Sequence, residues 1–282
     1  MGKLEIRISD SAGFCWGVEK ALEVARDAAK EAHGPINTLG PLIHNPGVIA
    51  ELEQQGIGVL RDPSEASEGT IILRSHGVPS EVREELGRKP VHVLDATCRF
   101  VKSAQDKAAR LHAMGYLVVI LGEREHPEVL GLRSYAGPDS LVVEKPGDLP
   151  AELPSSRVGV VVQTTQSQER LADLAAHLAP RTKELLVYNT ICSATEQRQR
   201  GAIAMAGDVD VVIVVGGRNS GNTRRLAELC AEVQPRTHHV ESAAEIDPAW
   251  FSGSKLVGIT AGASTPPDQI DAVVRRLKEI ET

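Results

Sequence analysis

Three of the four cysteines, Cys15, Cys98 and Cys192, each lie between a predicted strand and a predicted helix. A thiol at the N-terminus of a helix is stabilised as the thiolate by the helix dipole and by free backbone N–H groups, so it becomes a good metal ligand or nucleophile. An isolated cysteine is more often a small buried hydrophobic residue. The recurrence at three turns favours metal ligation, whereas Cys230 lies inside a predicted helix and is predicted to be core.

The segments that follow these cysteines form an approximate threefold repeat. Cys15 and Cys98 are 83 residues apart, and Cys98 and Cys192 are 94 residues apart. A polar loop follows each cysteine after 29, 28 and 27 residues in turn, and a second polar loop follows later in each repeat. The first loops lie around His44, His126 and Asn219, and the second loops lie around His76, Thr164 and Ser264.

The elements that must position these loops alternate between strand and helix. Such alternation predicts parallel sheets that bind ligands at the carboxyl ends of their strands. We therefore predict an α/β protein of three pseudo-threefold-related domains around a shared centre: residues 13–97, residues 98–191, and residues 192–282 completed by an N-terminal strand in residues 1–12. The predicted strands are 4–9, 36–39, 70–73, 91–94, 116–121, 157–162, 185–188, 209–215 and 256–260, and residues 145–156 are predicted to form a surface loop.

Three thiolates that meet in one pocket suit either zinc or an iron–sulfur cluster. Structural zinc sites use four ligands, usually in close sequence pairs, and the spacing of these cysteines fits that pattern badly. A 4Fe-4S cluster normally takes four cysteines. With only three, one iron keeps an open position that can bind a substrate oxygen, so the cluster becomes a catalyst as well as an electron carrier.

Seven histidine, serine, threonine and asparagine residues occupy the strand-end loops. Backbone N–H groups at helix starts, together with such side chains, bind phosphate without many lysines. Each residue alone is more simply explained as a helix cap or a structural histidine. Their corresponding positions in the three repeats favour a phosphate site instead. The seven are His44, His76, His126, Thr164, Ser220, Asn222 and Ser264.

Glu128 differs from the other loop residues because it is the carboxylate of the set and is flanked by proline and apolar residues. A partly desolvated carboxyl group beside a cluster can hold and deliver a proton near neutral pH. Helix capping is the alternative interpretation.

The composition limits the function classes. With 3% aromatic residues, a formal net charge of −7 and a pI near 5.8, the chain is not expected to bind nucleic acid or an anionic membrane. The sequence contains no apolar run long enough to span a bilayer and no signal-peptide pattern at its N-terminus, so we expect a cytoplasmic protein. Four distant cysteines in a reducing compartment do not predict a disulfide framework.

Nine ordered motifs resemble one family over essentially the whole chain, the 4-hydroxy-3-methylbut-2-enyl diphosphate reductases of the non-mevalonate isoprenoid route. No single motif would be specific, but the ordered set is. The motifs are Ala12-Gly13-Phe14-Cys15-x-Gly17-Val18, Ile43-His44-Asn45-Pro46, Ser75-His76-Gly77-Val78, Asp95-Ala96-Thr97-Cys98, His126-Pro127-Glu128-Val129, Gln163-Thr164-Thr165, Thr190-Ile191-Cys192-x-Ala194-Thr195, Asn219-Ser220-x-Asn222 and Thr260-Ala261-Gly262-Ala263-Ser264.

The resemblance implies a trefoil of three α/β domains around a central 4Fe-4S cluster whose open iron binds the substrate's allylic hydroxyl. Two electrons would come singly from a ferredoxin or a flavodoxin, and the products would be isopentenyl and dimethylallyl diphosphate. A monomer or weak dimer is expected. The implied residues are Cys15, Cys98 and Cys192 for the cluster, Glu128 with Thr164 and His126 for proton delivery, and His44, His76, His126, Thr164, Ser220, Gly221, Asn222 and Ser264 for the substrate.

Four positions depart from the family pattern. Gly221 replaces a second serine, so one hydroxyl contact to the diphosphate is lost while the backbone N–H remains, and Gly217 also replaces a common serine. Arg99 stands where proline is common. Arg74 replaces a smaller residue and either adds positive charge near the diphosphate or faces solvent.

Two other function classes compete with a reductase. A non-catalytic iron–sulfur sensor or electron-transfer protein would need neither an open iron site nor phosphate-binding residues. The residues that argue against it are His44, Ser220, Asn222 and Ser264. A nucleotide-binding α/β protein with incidental cysteines would be expected to carry a glycine-rich fingerprint after its first strand, and the sequence has none there.

Overall fold

The computed structural model describes residues 3–31 and 34–280. Residues 1–2, 32–33 and 281–282, which fall within the predicted domains, lie outside the described residues. In the described part, twelve strands alternate with nine α-helices. The strands are β1 Glu5–Ile8, β2 Ile36–Leu39, β3 Ile57–Leu60, β4 Thr70–Leu73, β5 His92–Asp95, β6 Leu117–Leu121, β7 Leu141–Val143, β8 Arg157–Val162, β9 Glu184–Val187, β10 Val211–Val215, β11 Thr237–Val240 and β12 Leu256–Ala261. The helices are α1 Trp16–Glu31, α2 Pro46–Gln54, α3 Ser80–Gly87, α4 Arg99–Ala113, α5 Pro127–Tyr135, α6 Gln168–Leu178, α7 Ser193–Ala206, α8 Gly221–Val233 and α9 Pro267–Lys278.

The strands form three four-stranded sheets that share one order. The first sheet runs β3-β2-β4-β5, the second β7-β6-β8-β9, and the third β11-β10-β12-β1. Every pairing is parallel. The protein is therefore an α/β protein with three similar domains, as the alternating pattern predicts. In the third sheet β1 takes the edge position that β5 and β9 take in the other two.

The central strands are long apolar runs because both faces of each sheet are covered. All residues of β6 and β10 are buried, and β8 is buried from its second residue onward. Continuous apolar strands rich in valine and isoleucine are typical of parallel sheets packed on both sides. Gly159 in β8 lets α4 approach closely, since a Cβ there would lie 2.6 Å from Leu111 Cδ2.

The chain divides into two compact units. Unit 1 comprises Met1–Val18, His44–Val48 and Ser193–Thr282, and it contains the third sheet. Unit 2 comprises Glu19–Ile43 and Ile49–Cys192, and it contains the first and second sheets. Along the described ranges, no helix is both long and apolar enough to cross a membrane.

All nine predicted strands are present, with β10 beginning at residue 211 rather than 209. The prediction missed β3, β7 and β11, which form the opposite edge of each sheet. The segment 145–156, predicted as a surface loop, contains a short 3₁₀ turn at Pro146–Asp148 and the buried Leu149. The proposed domain boundaries near Cys98 and Cys192 stay predictions.

Candidate functional site

Each of the three candidate cysteines immediately precedes a helix, respectively α1, α4 and α7. All three are partly exposed, and none is in a disulfide bond with another described residue. Their backbone N–H groups make the same bond, each donating to a carbonyl in a loop that follows a strand. The donor–acceptor pairs are Cys15 to Ala263 at 3.1 Å, Cys98 to Ser75 at 3.0 Å and Cys192 to Thr164 at 3.1 Å.

The donor set fits an iron–sulfur cluster. Cysteine sulfurs are the ligands that iron–sulfur clusters take, and these three lie at corresponding helix starts. Within residues 3–31 and 34–280, no group of three His, Cys, Asp or Glu side chains is arranged to hold a single metal ion. A cluster places its ligands on different irons, so it does not require such a group.

Cys230 is confirmed as a core residue. It is fully buried in α8 among apolar side chains that include Ala202, Met205 and Leu226. Burial raises the pKa of its thiol to about 12. This thiol therefore stays protonated near neutral pH and is a poor metal ligand.

In unit 2, neighbouring strands of the second sheet bring Glu128 and Thr164 together. Glu128 lies in the first turn of α5, after β6, and Thr164 follows β8, which pairs with β6. The Thr164 backbone N–H donates to Glu128 Oε1 at 2.6 Å, and the Thr164 hydroxyl donates to Oε2 at 2.8 Å. Glu128 is 1% exposed.

Burial raises the pKa of Glu128 to about 7, although both hydrogen bonds from Thr164 lower it. Desolvation penalises the carboxylate form, and here it outweighs the two donors. A carboxyl group with this pKa is about half protonated at neutral pH, so it can both hold and release a proton. The acid role of Glu128 stays a prediction, but its carboxyl bonds to Thr164 rather than to the N-terminus of α5, so helix capping does not explain its contacts.

His126 precedes α5 and caps it. Its Nδ1 accepts the backbone N–H of Glu128 at 3.1 Å, so this nitrogen is unprotonated and the proton of the neutral ring is on Nε2. The His76 ring lies edge-on to the His126 ring, with centroids 5.6 Å apart. Two of the predicted substrate histidines therefore lie together, beside the Glu128 helix.

In unit 1, the N-terminus of α8 gathers three predicted substrate residues. Ser220 caps the helix, and its Oγ accepts the backbone N–H of Thr223 at 3.3 Å. Gly221 and Asn222 form the first turn. Asn222 is 5% exposed, and its Nδ2 has no hydrogen-bond partner among the described residues. A buried N–H donor without a partner at a helix N-terminus is well placed to bind an anion.

His44 and Ser264 also meet in unit 1. The Ser264 hydroxyl donates to the carbonyl of His44 at 3.0 Å. A Cβ at Gly217 would lie 3.0 Å from that carbonyl and 2.6 Å from Asn219 Oδ1. The absence of a side chain at Gly217 thus lets the loop before α8 pack tightly against the His44 backbone.

Arg74 is half-buried rather than directed into solvent. Its Nε donates to the carbonyl of Gly77 at 3.2 Å, across the turn that contains His76. A Cβ at Gly40 would lie 2.7 Å from Arg74 Nη1, so that glycine makes room for the guanidinium. Burial lowers the pKa of Arg74. Arg99, by contrast, is exposed, with its guanidinium carbon 5.0 Å from the centre of the Phe100 ring.

Two buried polar residues were not assigned a role from the sequence. Arg198 in α7 is 3% exposed and donates to the carbonyl of Gly13 at 2.8 Å, in the turn that leads to Cys15. Asn45 is 4% exposed and bonds to Ser264. Arg198 lies in the polar run 196–200, which has the pattern of a solvated helix face, and the motif that contains Asn45 gives no sign of its contacts.

Comparison with known proteins supplies independent evidence. The family model described as LytB protein matches residues 6–278. A 4-hydroxy-3-methylbut-2-enyl diphosphate reductase from Geobacter metallireducens is 49% identical over 280 residues, covering 99% of each chain. The enzyme of the same name from Aquifex aeolicus is 43% identical, covering 98% of this chain and 97% of its own.

Two solved structures share the architecture. One is an (E)-4-hydroxy-3-methyl-but-2-enyl diphosphate reductase, described as the terminal enzyme of the non-mevalonate pathway. It is 44% identical, with a TM-score of 0.72, and the match covers 99% of this chain and 100% of that one. The other is E-1-hydroxy-2-methyl-but-2-enyl-4-diphosphate reductase from Plasmodium falciparum, which at 24% identity, a TM-score of 0.91 and coverage of 98% and 88% supports the fold alone.

Proposed function

The chain belongs to the LytB protein family, and from this we propose that it is an oxidoreductase that reduces 4-hydroxy-3-methylbut-2-enyl diphosphate in the non-mevalonate pathway. The observation that carries the proposal is the buried Glu128–Thr164 pair, whose carboxyl pKa of about 7 suits proton delivery. The reaction consumes two electrons and two protons. The allylic C–O bond breaks, the oxygen leaves as water, and one new C–H bond forms to give isopentenyl or dimethylallyl diphosphate.

The redox part of the reaction requires a cofactor, and the cysteine donor set supports one. A 4Fe-4S cluster held by Cys15, Cys98 and Cys192 would supply the two electrons one at a time, with one iron free of a protein ligand. We propose a ferredoxin or flavodoxin as the physiological donor and the cytoplasm as the compartment.

Residues of unit 2 hold and deliver the proton. Protonated Glu128 donates a proton to the departing hydroxyl group, and the Thr164 hydroxyl holds its carboxyl in place. His126, with its proton on Nε2, presents a neutral donor next to this pair. The apolar packing around α5, with Val129 and Leu132 fully buried, supports the raised pKa of Glu128.

Diphosphate binding uses donors rather than many cations. The N-terminus of α8 offers the orphaned Asn222 amide and the first-turn backbone N–H groups. An electron carrier or sensor has no need of such donors or of a buried acid, so these features favour the reductase. We propose that the substrate contacts are His44, His76, His126, Thr164, Ser220, Gly221, Asn222 and Ser264.

Anaerobic purification followed by iron and sulfide analysis tests the cofactor. Reduction of the hydroxylated diphosphate by reduced methyl viologen then tests the activity. We expect four irons and four sulfides per chain in the fully loaded protein and release of both alkenyl diphosphates. A folded protein that stays free of iron after anaerobic reconstitution, or a loaded protein that leaves the substrate unreduced, would reject the proposal.

A further inference from the structure

A buried amide outside the proposed substrate contacts joins three segments of unit 1. The Asn45 Nδ2 donates to the carbonyl of Ser264 at 2.9 Å and to Gln269 Oε1 at 3.0 Å. Its Oδ1 accepts the backbone N–H of Val48 at 3.2 Å. One side chain therefore holds the start of α2, the loop after β12 and the first turn of α9.

Gln269 extends this connection to the loop before α8. Its Nε2 donates to the backbone carbonyl of Glu241. The Glu241 carboxylate accepts the backbone N–H of Arg218 at 2.7 Å and pairs with the Arg218 guanidinium at 3.2 Å. The loops that carry His44, Ser220 and Ser264 are thus linked through one chain of polar contacts.

We propose that Asn45 and Gln269 are positioning residues that form a polar bridge and hold these loops ready for an anionic diphosphate. The inference rests on the proposed function. Asn45 holds the carbonyl of Ser264, while the Ser264 hydroxyl donates to the carbonyl of His44, so the two loops are tied in both directions. Neither Asn45 nor Gln269 carries an acid or a thiol, and the loss of their bonds is expected to weaken anion binding while leaving the chemical step nearly unchanged.

Asn45→Asp tests the bridge with the least change in shape. The aspartate keeps an oxygen for the Val48 N–H but loses both Nδ2 donor bonds and directs a carboxylate at two acceptor oxygens. We expect about tenfold to hundredfold weaker binding of inorganic pyrophosphate by calorimetry and a matching rise in the substrate KM. The kcat and the iron content should stay within about threefold of wild type.

Asn189→Asp is the matched control. The Asn189 Nδ2 donates to Gln168 Oε1 at 3.0 Å, and its Oδ1 accepts the backbone N–H of Ile191 at 3.2 Å, so the same substitution removes the same kind of bond at an exposed position. We expect pyrophosphate affinity within about twofold of wild type. An equal loss in both variants would show a charge effect and would overturn the bridge.

Wild-type affinity in Asn45→Asp, or a parallel fall in kcat, iron content and affinity, would also overturn the proposal. If Asn45→Asp does not fold, Gln269→Leu provides the test, because it keeps the Asn45–Ser264 bond and removes the Asn45–Gln269 and Gln269–Glu241 bonds. We then expect binding weaker by about threefold to tenfold, and unchanged binding rejects the bridge. A wild-type enzyme that leaves the hydroxylated diphosphate unreduced would reject the proposed function instead.

Discussion

The polar strand-end residues of unit 1 and those of unit 2 are hydrogen-bonded to different extents. In unit 2, both carboxyl oxygens of Glu128 accept bonds from Thr164, and the Glu128 N–H is taken by His126. In unit 1, the Asn222 side chain is buried at a helix start, and its Nδ2 has no hydrogen-bond partner in the described part of the chain. The Glu128 carboxyl group in unit 2 therefore has its hydrogen bonds made within the protein, whereas Asn222 in unit 1 has an N–H donor available to a ligand.

This difference separates two kinds of chemistry. A buried donor without a partner costs about 1–3 kcal/mol, a cost that a bound anion removes. The Glu128 carboxyl group already has a hydrogen bond to each oxygen, so it needs no bound ligand to complete its bonding. Its apolar surroundings act on its pKa instead, because they disfavour the charged form. We therefore propose that the open donor of unit 1 adds mainly to diphosphate affinity and that the Glu128–Thr164 pair of unit 2 delivers the proton, so variants at these two places should separate KM from kcat.

Glu128→Gln should have the largest effect, because the amide keeps the size of the side chain but cannot deliver a proton. We expect kcat with reduced methyl viologen to fall by about 10²–10⁴-fold, with the pyrophosphate affinity within about threefold of wild type. Glu125→Gln, at an exposed position in the same loop, is the control and should retain wild-type turnover. Full turnover in Glu128→Gln would show that another group donates the proton.

Asn222→Asp should have the next largest effect, with the opposite kinetic pattern. The substitution replaces a buried donor by a carboxylate that repels a diphosphate, so KM should rise by about tenfold to hundredfold while kcat changes little. Calorimetry with inorganic pyrophosphate measures the loss directly. Asn222→Ser puts a hydroxyl donor in place of the amide and should keep part of the affinity that Asn222→Asp loses. If Asn222→Asp lowered kcat and left KM unchanged, the division between the units would be wrong.

Thr164→Val should have the smallest effect, seen in the pH profile. The active form of Glu128 is protonated, so kcat should decline as the pH rises through its pKa of about 7. The Thr164 hydroxyl bond lowers that pKa, so its loss raises the pKa further and moves the decline to higher pH, by about 0.5–1 unit. Thr164→Ser retains the hydroxyl and should keep the wild-type profile. A decline that moved to lower pH would contradict the assignment.

The strands that the sequence reveals most clearly are the central ones, which are buried on both faces. The run Val211–Val215 is uniformly apolar, and such runs are recognisable without any partner. The missed strands β3, β7 and β11 have three or four residues each and lie at sheet edges. β11 contains His238 and His239, and no periodicity in so short and polar a segment distinguishes a strand from a loop.

The candidate site also contains residues that the sequence predicts and residues that it does not. The helix-start positions of Cys98 and Ser220 follow from local pattern, because a strand, a short turn and a helix are all visible in the sequence. The burial of Asn45 and Arg198 depends on segments about 185–220 residues away, which bond to their side chains. Local sequence holds no signal for contacts at that separation, so the partners of these two side chains are visible only in the structure.

The pairing of β1 with β12 has a consequence for the order in which the protein assembles during synthesis. Glu5 pairs with Leu256, and the Cys15 N–H bonds to Ala263, so the first cysteine turn to leave the ribosome lacks its support until almost the whole chain has been made. The turns of Cys98 and Cys192 bond to segments that precede them, at Ser75 and Thr164. Pairing across so many residues is entropically costly and forms slowly. We expect a ribosome-stalled chain ending at residue 240 to protect the Cys98 turn from protease while residues 5–15 stay sensitive. The cysteine made first would then be the last to become a competent ligand.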